Sequence, residues 1–219
     1  MAAGPRRLLV VPLGSLEQHG PHLPLDTDTR IAAAVAAAAC ASRPGVGLAP
    51  PVAVGASGEH ADFPGTLSIG TAALELLLVE LGRHASLHWP AMLLVNGHGG
   101  NTPAITAAAE RLRAEGRRCH VWHAGVPGGD AHAGRAETSL MLALAPDDVL
   151  LAAAAPGETR PLPEIMPALR ARGVRAVSPN GVLGDPAGAS AAEGERLLGA
   201  LAAGLSQTLD KLLAGGIDD

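Results

Sequence analysis

A stretch of twelve residues near the N-terminus, numbers 17 to 28, concentrates side chains that can bind a divalent metal ion. It reads EQHGPHLPLDTD, and its acidic and histidine residues are Glu17, His19, His22, Asp26 and Asp28. Imidazole and carboxylate groups on a backbone stiffened by Gly and Pro are suitable ligands for such an ion. Any one of these residues alone is more typical of a polar surface loop. The whole cluster favours a metal site.

Two later segments carry further groups of the same kind. NGHGGN contains His98, and GDAHAGRAETS places His132 in a Gly-rich loop and Glu137 at the start of a helix. A flexible loop would let His132 move during catalysis, whereas a helix would hold Glu137 as a rigid ligand. The candidates expected to meet are Glu17, His19, Asp28, His98, His132 and Glu137, and five or six ligands are the number that a pair of divalent ions needs. NGHGGN could equally form a turn that holds a phosphate at a helix N-terminus, but the imidazole and the absence of lysine favour a metal.

A third polar segment, residues 55 to 70, reads GASGEHADFPGTLSIG and is long enough for a functional loop. We interpret His22 and His60 either as substrate contacts or as residues that orient a metal ligand. Glu59 is either a substrate contact or a solvated loop carboxylate. Asp26 is interpreted as a cap of the helix that follows it.

The elements between these segments must bring them together. Strands are predicted at residues 8–13, 46–54, 91–95 and 118–123, the second interrupted by Pro50 and Pro51. Helical patterns cover residues 28–41, a segment from Thr71, a segment from the N-cap Asn101 to the C-cap Gly116, residues 136–144 and residues 189–214. The part after Pro146 is predicted to be irregular up to the last helix, because it is rich in proline.

Strands that alternate with helices predict an α/β fold, a three-layer α/β/α sandwich with a mainly parallel central sheet. We expect one domain over residues 1–219. In such sheets, ligands lie beyond the carboxyl ends of the strands. The three polar segments are therefore expected to converge there.

Composition excludes several classes of function. The net charge is −5 without a basic block, so no nucleic-acid partner is expected. The longest apolar run, residues 31–41, is far shorter than the roughly 20 residues that span a bilayer, and the N-terminus does not resemble a signal peptide. Cys40 and Cys119 are isolated in sequence, which favours reduced thiols and a cytoplasmic location.

Three motifs together resemble the creatininase family of metal-dependent amidohydrolases. They are PLGSLEQHGPHLPLDTDT, NGHGGN and HAGRAETS, in the same order as in that family. The resemblance implies that Glu17, His19, Asp28 and His98 are metal ligands, with Asp28 as the bridging carboxylate. It also implies that His132 is the catalytic histidine.

The sequence departs from creatinine amidohydrolase itself at two points. A glutamate of that enzyme is replaced by Gly100, so Glu137 is expected to supply the missing ligand, as in the NGHGGN branch of the family. The tryptophan that closes over creatinine is absent, and Gly128 and Gly129 lie near its place. Both differences argue against creatinine as the substrate.

Further segments, among them GASGEH, FPGTLSIGT and GVLGDP, resemble a peptidase branch of the family. That resemblance implies a modified ribosomal precursor peptide as the substrate and hydrolysis of the amide before a cross-linked C-terminal Val-Tyr, in the biosynthesis of a redox cofactor. It implies two divalent metal ions, Fe²⁺ or Zn²⁺ with Mn²⁺ as a further candidate, and a homo-oligomer. The alternatives are a deformylase that acts on a formamide and a metal-stabilised scaffold that binds a peptide without cutting it.

Overall fold

The computed structural model describes residues 5–214. Its central sheet contains β1 (Leu8–Leu13), β2 (Val46–Leu48), β3 (Ala91–Asn96) and β4 (Arg118–His123). The strand order is β2-β1-β3-β4, and every neighbouring pair is parallel. The helices are α1 (Thr27–Cys40), α2 (Gly70–Ala85), α3 (Thr102–Ala114), α4 (Arg135–Leu144), α5 (Leu162–Arg172) and α6 (Ala191–Ala214). Short 3-10 turns lie at Gly58–His60, Gly99–Asn101, Pro146–Asp148 and Leu151–Ala153.

Side chains of the two central strands enter two different cores. Val10 and Leu93 pack with α1, α4 and α6, whereas Val11 and Leu94 pack with α2 and α3. Successive side chains of a strand point to opposite faces, so a strand that is apolar throughout needs helices on both sides of the sheet. Each fully buried Leu or Val contributes about 1.5–3 kcal/mol relative to an exposed one. The predicted three-layer α/β/α fold is confirmed. Within residues 5–214, no helix combines the length and the apolar character that crossing a membrane would require.

The second predicted strand is wrong beyond Leu48. The chain leaves β2 at that residue and returns to the sheet only through an isolated bridge between Val52 and Leu13. Pro50 and Pro51 lie between these points and have no amide hydrogen to donate to a neighbouring strand.

The prediction of an irregular chain after Pro146 is also wrong in part, because α5 lies in this region. Pro163 is in the first turn of α5, where its missing amide hydrogen costs nothing, but Pro167 lies inside the helix. Ile165 and Leu169 bury their side chains in a small third core. We attribute the helix to this burial, which is a tertiary effect that the local proline content does not report.

The two predicted N-cap residues lie at the N-cap positions of their helices, but neither side chain makes a capping hydrogen bond. Asn101 precedes α3, yet its Oδ1 accepts from the Ala56 amide at 2.9 Å and its Nδ2 donates to the Gly14 carbonyl at 2.9 Å. Asp26 precedes α1, yet its carboxylate pairs with Arg30 Nε at 2.8 Å. Asn101 therefore ties two loops together at the end of the sheet.

Helix α6 approaches α4 closely at Gly194. A Cβ atom added to Gly194 would lie 1.9 Å from the main-chain oxygen of Ser139. Ser139 is two residues after Glu137 on α4 and also donates to Glu193 at 3.1 Å. The α4–α6 contact therefore fixes the position of the helix that carries Glu137.

We expect Gly194→Ala to lower the free energy of unfolding by about 1–3 kcal/mol, which is typical of overpacking. Gly199→Ala in the same helix is the matched control, since a Cβ there would meet no atom of the described residues within 4 Å. This control should be neutral or stabilising by up to about 1 kcal/mol, because alanine favours helix more than glycine does. Urea denaturation measures the free energy of unfolding of both variants. Equal changes in the two variants would show that the α4–α6 contact is not tight.

Candidate metal centre

The loops after β1 and β3 and the first turns of α1 and α4 bring the candidate ligands together. Asp28 is in the first turn of α1 and Glu137 is in the first turn of α4. The side chains that meet are Glu17, His19, Asp28, His98, His132 and Glu137. The loops thus converge at the carboxyl ends of the strands, and the functional role of each side chain stays a prediction.

The contacts within this cluster are short. His19 Nε2 is 3.1 Å from Asp28 Oδ1, and His98 Nδ1 is 3.2 Å from Asp28 Oδ2. His98 Nε2 is 3.1 Å from Glu17 Oε2, and His132 Nδ1 is 3.7 Å from Glu17 Oε1. Asp28 thus lies between two imidazoles, where a bridging carboxylate would have to be.

Glu137 joins the cluster beside His19 and His132. Ligand atoms of His19, His132 and Glu137 all lie within 4.8 Å of one another. The Glu137 Oε2 atom accepts a hydrogen bond of 2.6 Å from the main-chain amide of Ala133. That bond orients the carboxylate and leaves its other oxygen for a ligand.

The chemistry of the cluster fits divalent metal ions. Both carboxylate oxygens of Glu17 are buried and have no hydrogen-bond partner among the described residues. A buried carboxylate without a partner is costly, and a divalent cation would satisfy both oxygens at once. Mixed imidazole and carboxylate ligands suit Zn, Fe or Mn. The residues present therefore can hold such a group.

Protons on His19 and His98 balance part of the buried negative charge, because burial lowers the pKa of both but the neighbouring carboxylates outweigh it. Burial lowers the pKa of His19, but the contact with Asp28 outweighs it and raises the pKa to about 10. Burial and the neighbouring Asp28 raise the pKa of Glu17 to about 7, against the opposing effect of His98. Burial also raises the pKa of Glu137 to about 6. A cation that binds to these imidazoles must displace their protons.

Two residues that support the cluster were missed in the sequence. Ser15 Oγ donates to Asp28 Oδ2 at 2.7 Å. Gln18 lies between two candidate ligands and is 5% exposed, and its side-chain amide is 2.8 Å from His60 Nδ1. A long polar side chain inside an otherwise ligand-rich segment was the available signal for Gln18. No local pattern marked Ser15.

The remaining predicted residues divide into two groups. His60 joins the cluster, with Nε2 at 3.3 Å from Glu17 Oε1. His22 contacts Thr138 Oγ1 through Nε2 at 2.9 Å, which places it against α4. Its Nδ1 has no partner among the described residues.

Glu59 reaches the cluster through the space that Gly100 leaves. Its carboxylate oxygen is 3.3 Å from His98 Nε2, and the side chain is 33% exposed. A Cβ atom on Gly100 would lie 2.2 Å from Glu59 Oε1, 2.4 Å from His98 Nε2 and 2.5 Å from the Ala56 carbonyl oxygen. Burial favours the neutral acid, but His98 outweighs it and lowers the pKa of Glu59. Glu59 is therefore an ion at the edge of the cluster.

We expect Gly100→Ala to weaken metal binding, because the new methyl group must displace His98, Glu59 or the Ala56 main chain. A displaced ligand or orienting partner typically costs about 10–100-fold in metal affinity. Gly99→Ala is the control, since a Cβ there would meet no described atom within 4 Å. Isothermal titration of both variants with Zn(II) measures the difference. Equal affinities would show that the Gly100 space is not needed.

A cavity of about 210 Å³ opens beside the cluster. Asp28, His98, His132 and Glu137 contribute polar groups to its wall. Asn96, His123 and Asp130 add further polar groups, and Ile31, Val126, Ala136 and Leu140 are among the apolar residues of the wall. The cavity therefore has room for a small chemical group beside the candidate ligands, with both polar and apolar partners for it.

The fold and the centre are those of a hydrolase that acts on amide bonds. A solved structure described as creatinine amidohydrolase (creatininase) matches with a TM-score of 0.77 and 28% sequence identity, covering 94% of this chain and 90% of that chain. The family described as "Creatininase: Creatinine amidohydrolase" matches residues 2–209. The chain belongs to the creatininase family, as the three motifs predicted.

Two further matches bear on chemistry. The mycofactocin precursor peptide peptidase of Mycolicibacterium smegmatis is 56% identical over 210 residues, which cover 93% of this chain and 85% of that protein. A solved structure of a mutant creatininase, described as the Zn-Zn type, has a TM-score of 0.75 and 28% identity, covering 94% of this chain and 90% of that chain. The description of that creatininase therefore names zinc.

Proposed function

We propose that this protein is a metal-dependent peptidase that removes the modified C-terminal Val-Tyr unit from the mycofactocin precursor peptide. The observation that carries the proposal is the 56% identity to the peptidase of that name over 93% of the chain. Gly100 supports it from the structure, because the space beside His98 holds Glu59 instead of a side chain at position 100. The pocket therefore differs from that expected for a creatinine-specific enzyme.

Glu17, His19, Asp28, His98 and Glu137 would hold two divalent ions. When bound, such ions supply an activated water at neutral pH and polarise the carbonyl that is attacked. The protein's own part is to hold the ligands in place and to keep the site away from bulk water. Burial of Glu17, His19 and Asp28, each 3% exposed or less, supports both roles.

His132 would give a proton to the leaving amine as the amide bond breaks. It lines the cavity, and its Nδ1 faces Glu17 Oε1 at 3.7 Å. Burial and the neighbouring His19 hold the pKa of His132 well below its usual value. A proton on its Nδ1 is therefore readily passed on to the leaving amine. Glu59, at the exposed edge of the cluster, would contact the substrate there.

The test is mass spectrometry of the purified protein with the precursor peptide that carries the modified Val-Tyr end. Samples loaded with Fe(II), Zn(II) and Mn(II) are compared with a sample treated with a chelator. We expect release of the Val-Tyr unit, with cleavage before the valine, and its loss on chelation. Intact peptide with every metal would contradict the proposal. Activity on a formamide without activity on the peptide would select the deformylase alternative.

We further propose that the protein forms a homo-oligomer. The leucines of α6 at Leu201, Leu205 and Leu209 are buried within the same chain and are not available to a second copy. Within the described residues, the leucines that are exposed on α-helices are Leu76 and Leu77 on α2 and Leu162 at the start of α5. Light scattering coupled to size-exclusion chromatography measures the mass, and a monomer of 21.9 kDa would contradict this proposal.

A further inference from the structure

Gln18 has a side-chain amide whose orientation is determined by two main-chain groups. Its Oε1 is 2.8 Å from the amide nitrogen of Gly20, which can only donate. Its Nε2 is 3.2 Å from the carbonyl oxygen of Gly181, which can only accept. The oxygen and nitrogen of this amide therefore cannot be exchanged without losing both bonds.

Gly181 allows this arrangement because it has no side chain. Its φ is +80°, and a Cβ atom there would lie 2.0 Å from Gln18 Oε1. Two residues further on, the main chain of Leu183 pairs with that of His132, with Leu183 N donating to His132 O at 2.9 Å. The same short segment therefore holds both the Gln18 amide and the His132 loop.

The orientation of Gln18 determines which nitrogen of His60 carries a proton. Gln18 Nε2 is 2.8 Å from His60 Nδ1, and the amide nitrogen can only donate. His60 Nδ1 must then be the acceptor, because a proton on it would put two donors against each other. The ring proton of His60 is therefore on Nε2, which lies 3.3 Å from Glu17 Oε1.

The main chain of Gln18 determines the proton position on His132 in the same way. Its carbonyl oxygen is 2.8 Å from His132 Nε2 and can only accept, so Nε2 carries a proton. The same Nε2 is 3.3 Å from Gln18 Nε2, but the two hydrogens of that amide are used by His60 Nδ1 and by the Gly181 carbonyl, so this contact is not a hydrogen bond. The other ring nitrogen of His132, Nδ1, faces Glu17.

We infer that Gln18 is a positioning residue that places the proton of His60 on Nε2 through its side chain and the proton of His132 on Nε2 through its main-chain carbonyl, which leaves Nδ1 of His132 facing Glu17. His60, protonated at Nε2, is not available there as a metal ligand, although Glu17, His60 and His132 are close enough to form a ligand group. The catalytic consequence of this arrangement rests on the function proposed above.

The proton positions can be measured without any substrate. Full-length protein with ¹⁵N-labelled histidine is examined by long-range ¹H–¹⁵N correlation spectra, metal-free and loaded with Zn(II). Replacement of His60 and of His132 by glutamine assigns their signals. In both states we expect His60 and His132 to carry their protons on Nε2. A His60 proton on Nδ1 would overturn the inference.

Two substitutions of Gln18 separate its side chain from its main chain. In Gln18→Glu a carboxylate oxygen replaces the donor, so the His60 proton should move to Nδ1. In Gln18→Met the link is lost, so His60 should show a mixture of both forms. His132 should be unchanged in both variants, because its partner is the main-chain carbonyl. Gln207→Glu, on the exposed face of α6, is the control and should change neither histidine.

A His60 signal in Gln18→Glu identical to that of the wild type would contradict the inference. If this variant does not fold, Gln18→Met still decides, because a single His60 form identical to that of the wild type would contradict the inference. With the peptide substrate, we expect kcat of Gln18→Glu to fall by about 10–100-fold with little change in KM. A peptide that is not cleaved at all would contradict the proposed function and leave the spectra as the test of Gln18.

Discussion

Asp28→Ala is expected to remove both divalent ions and to abolish hydrolysis. Asp28 lies between His19 and His98, with one carboxylate oxygen at 3.1 Å from the first and the other at 3.2 Å from the second. Alanine at this position removes the carboxylate that lies between these two imidazoles. Since bound metal supplies several kcal/mol of transition-state stabilisation and each 1.4 kcal/mol is tenfold in rate, we expect a loss of at least about 1,000-fold.

Metal content and turnover must be measured on the same preparation. Inductively coupled plasma mass spectrometry gives the number of ions per chain for Asp28→Ala and for the control Asp26→Ala. Asp26 is the same residue type two positions away, and its carboxylate pairs with Arg30 outside the cluster. Its replacement should leave both ions and most of the activity. Full metal content and turnover in Asp28→Ala would show that Asp28 does not bridge the ions.

His132→Ala is expected to keep both ions and to lower kcat by about 100- to 10,000-fold, the usual contribution of a general acid. The reason is the geometry of the ring: His132 Nε2 donates to the Gln18 carbonyl at 2.8 Å, and Nδ1 faces the centre, where it can act as the acid. The variant removes a proton donor and no carboxylate. Steady-state kinetics and metal analysis together distinguish it from Asp28→Ala, in which both quantities fall.

The control for this prediction is His88→Ala, because His88 is an exposed histidine just after α2. It should match the wild type in both measurements. Loss of an ion from His132→Ala would make His132 a ligand, which the grouping with His19 and Glu137 allows sterically. Unchanged turnover would assign the acid to another group. His60 would be the nearer candidate, since His22 is turned toward Thr138.

The sequence was sufficient for the layers of the fold. The strands at residues 8–13 and 118–123 match β1 and β4, and the apolar run at 91–95 matches β3 to within one residue. The segments of β1 and β3 are short, apolar and bounded by polar residues or by Gly and Pro, so burial on both faces is the stable arrangement for them. Local pattern and global fold agree here. Where they disagree, as in β2 and α5, the deciding contacts are made with residues far away in the chain.

Which residue types form the candidate centre could also be predicted from the sequence. Glu17, His19 and Asp28 follow β1, and His98 follows β3, so parallel strands bring them to the same edge of the sheet. Their acidic and imidazole groups define the chemistry without coordinates. The resemblance to the creatininase family predicted the same set, and family membership is confirmed.

Tertiary structure alone decided how these groups are supported. Gln18 meets Gly181, a residue 163 positions later, and Glu59 enters a space that exists only because Gly100 lacks a side chain. No periodicity or motif in the sequence predicts either contact. Each depends on the distance between two loops, which is set by different helices and strands. The sequence by itself therefore determined the candidate ligands and the edge of the sheet where they meet. The folded chain decided which hydrogen bonds orient them, because donor and acceptor distances arise only when segments distant in sequence pack together.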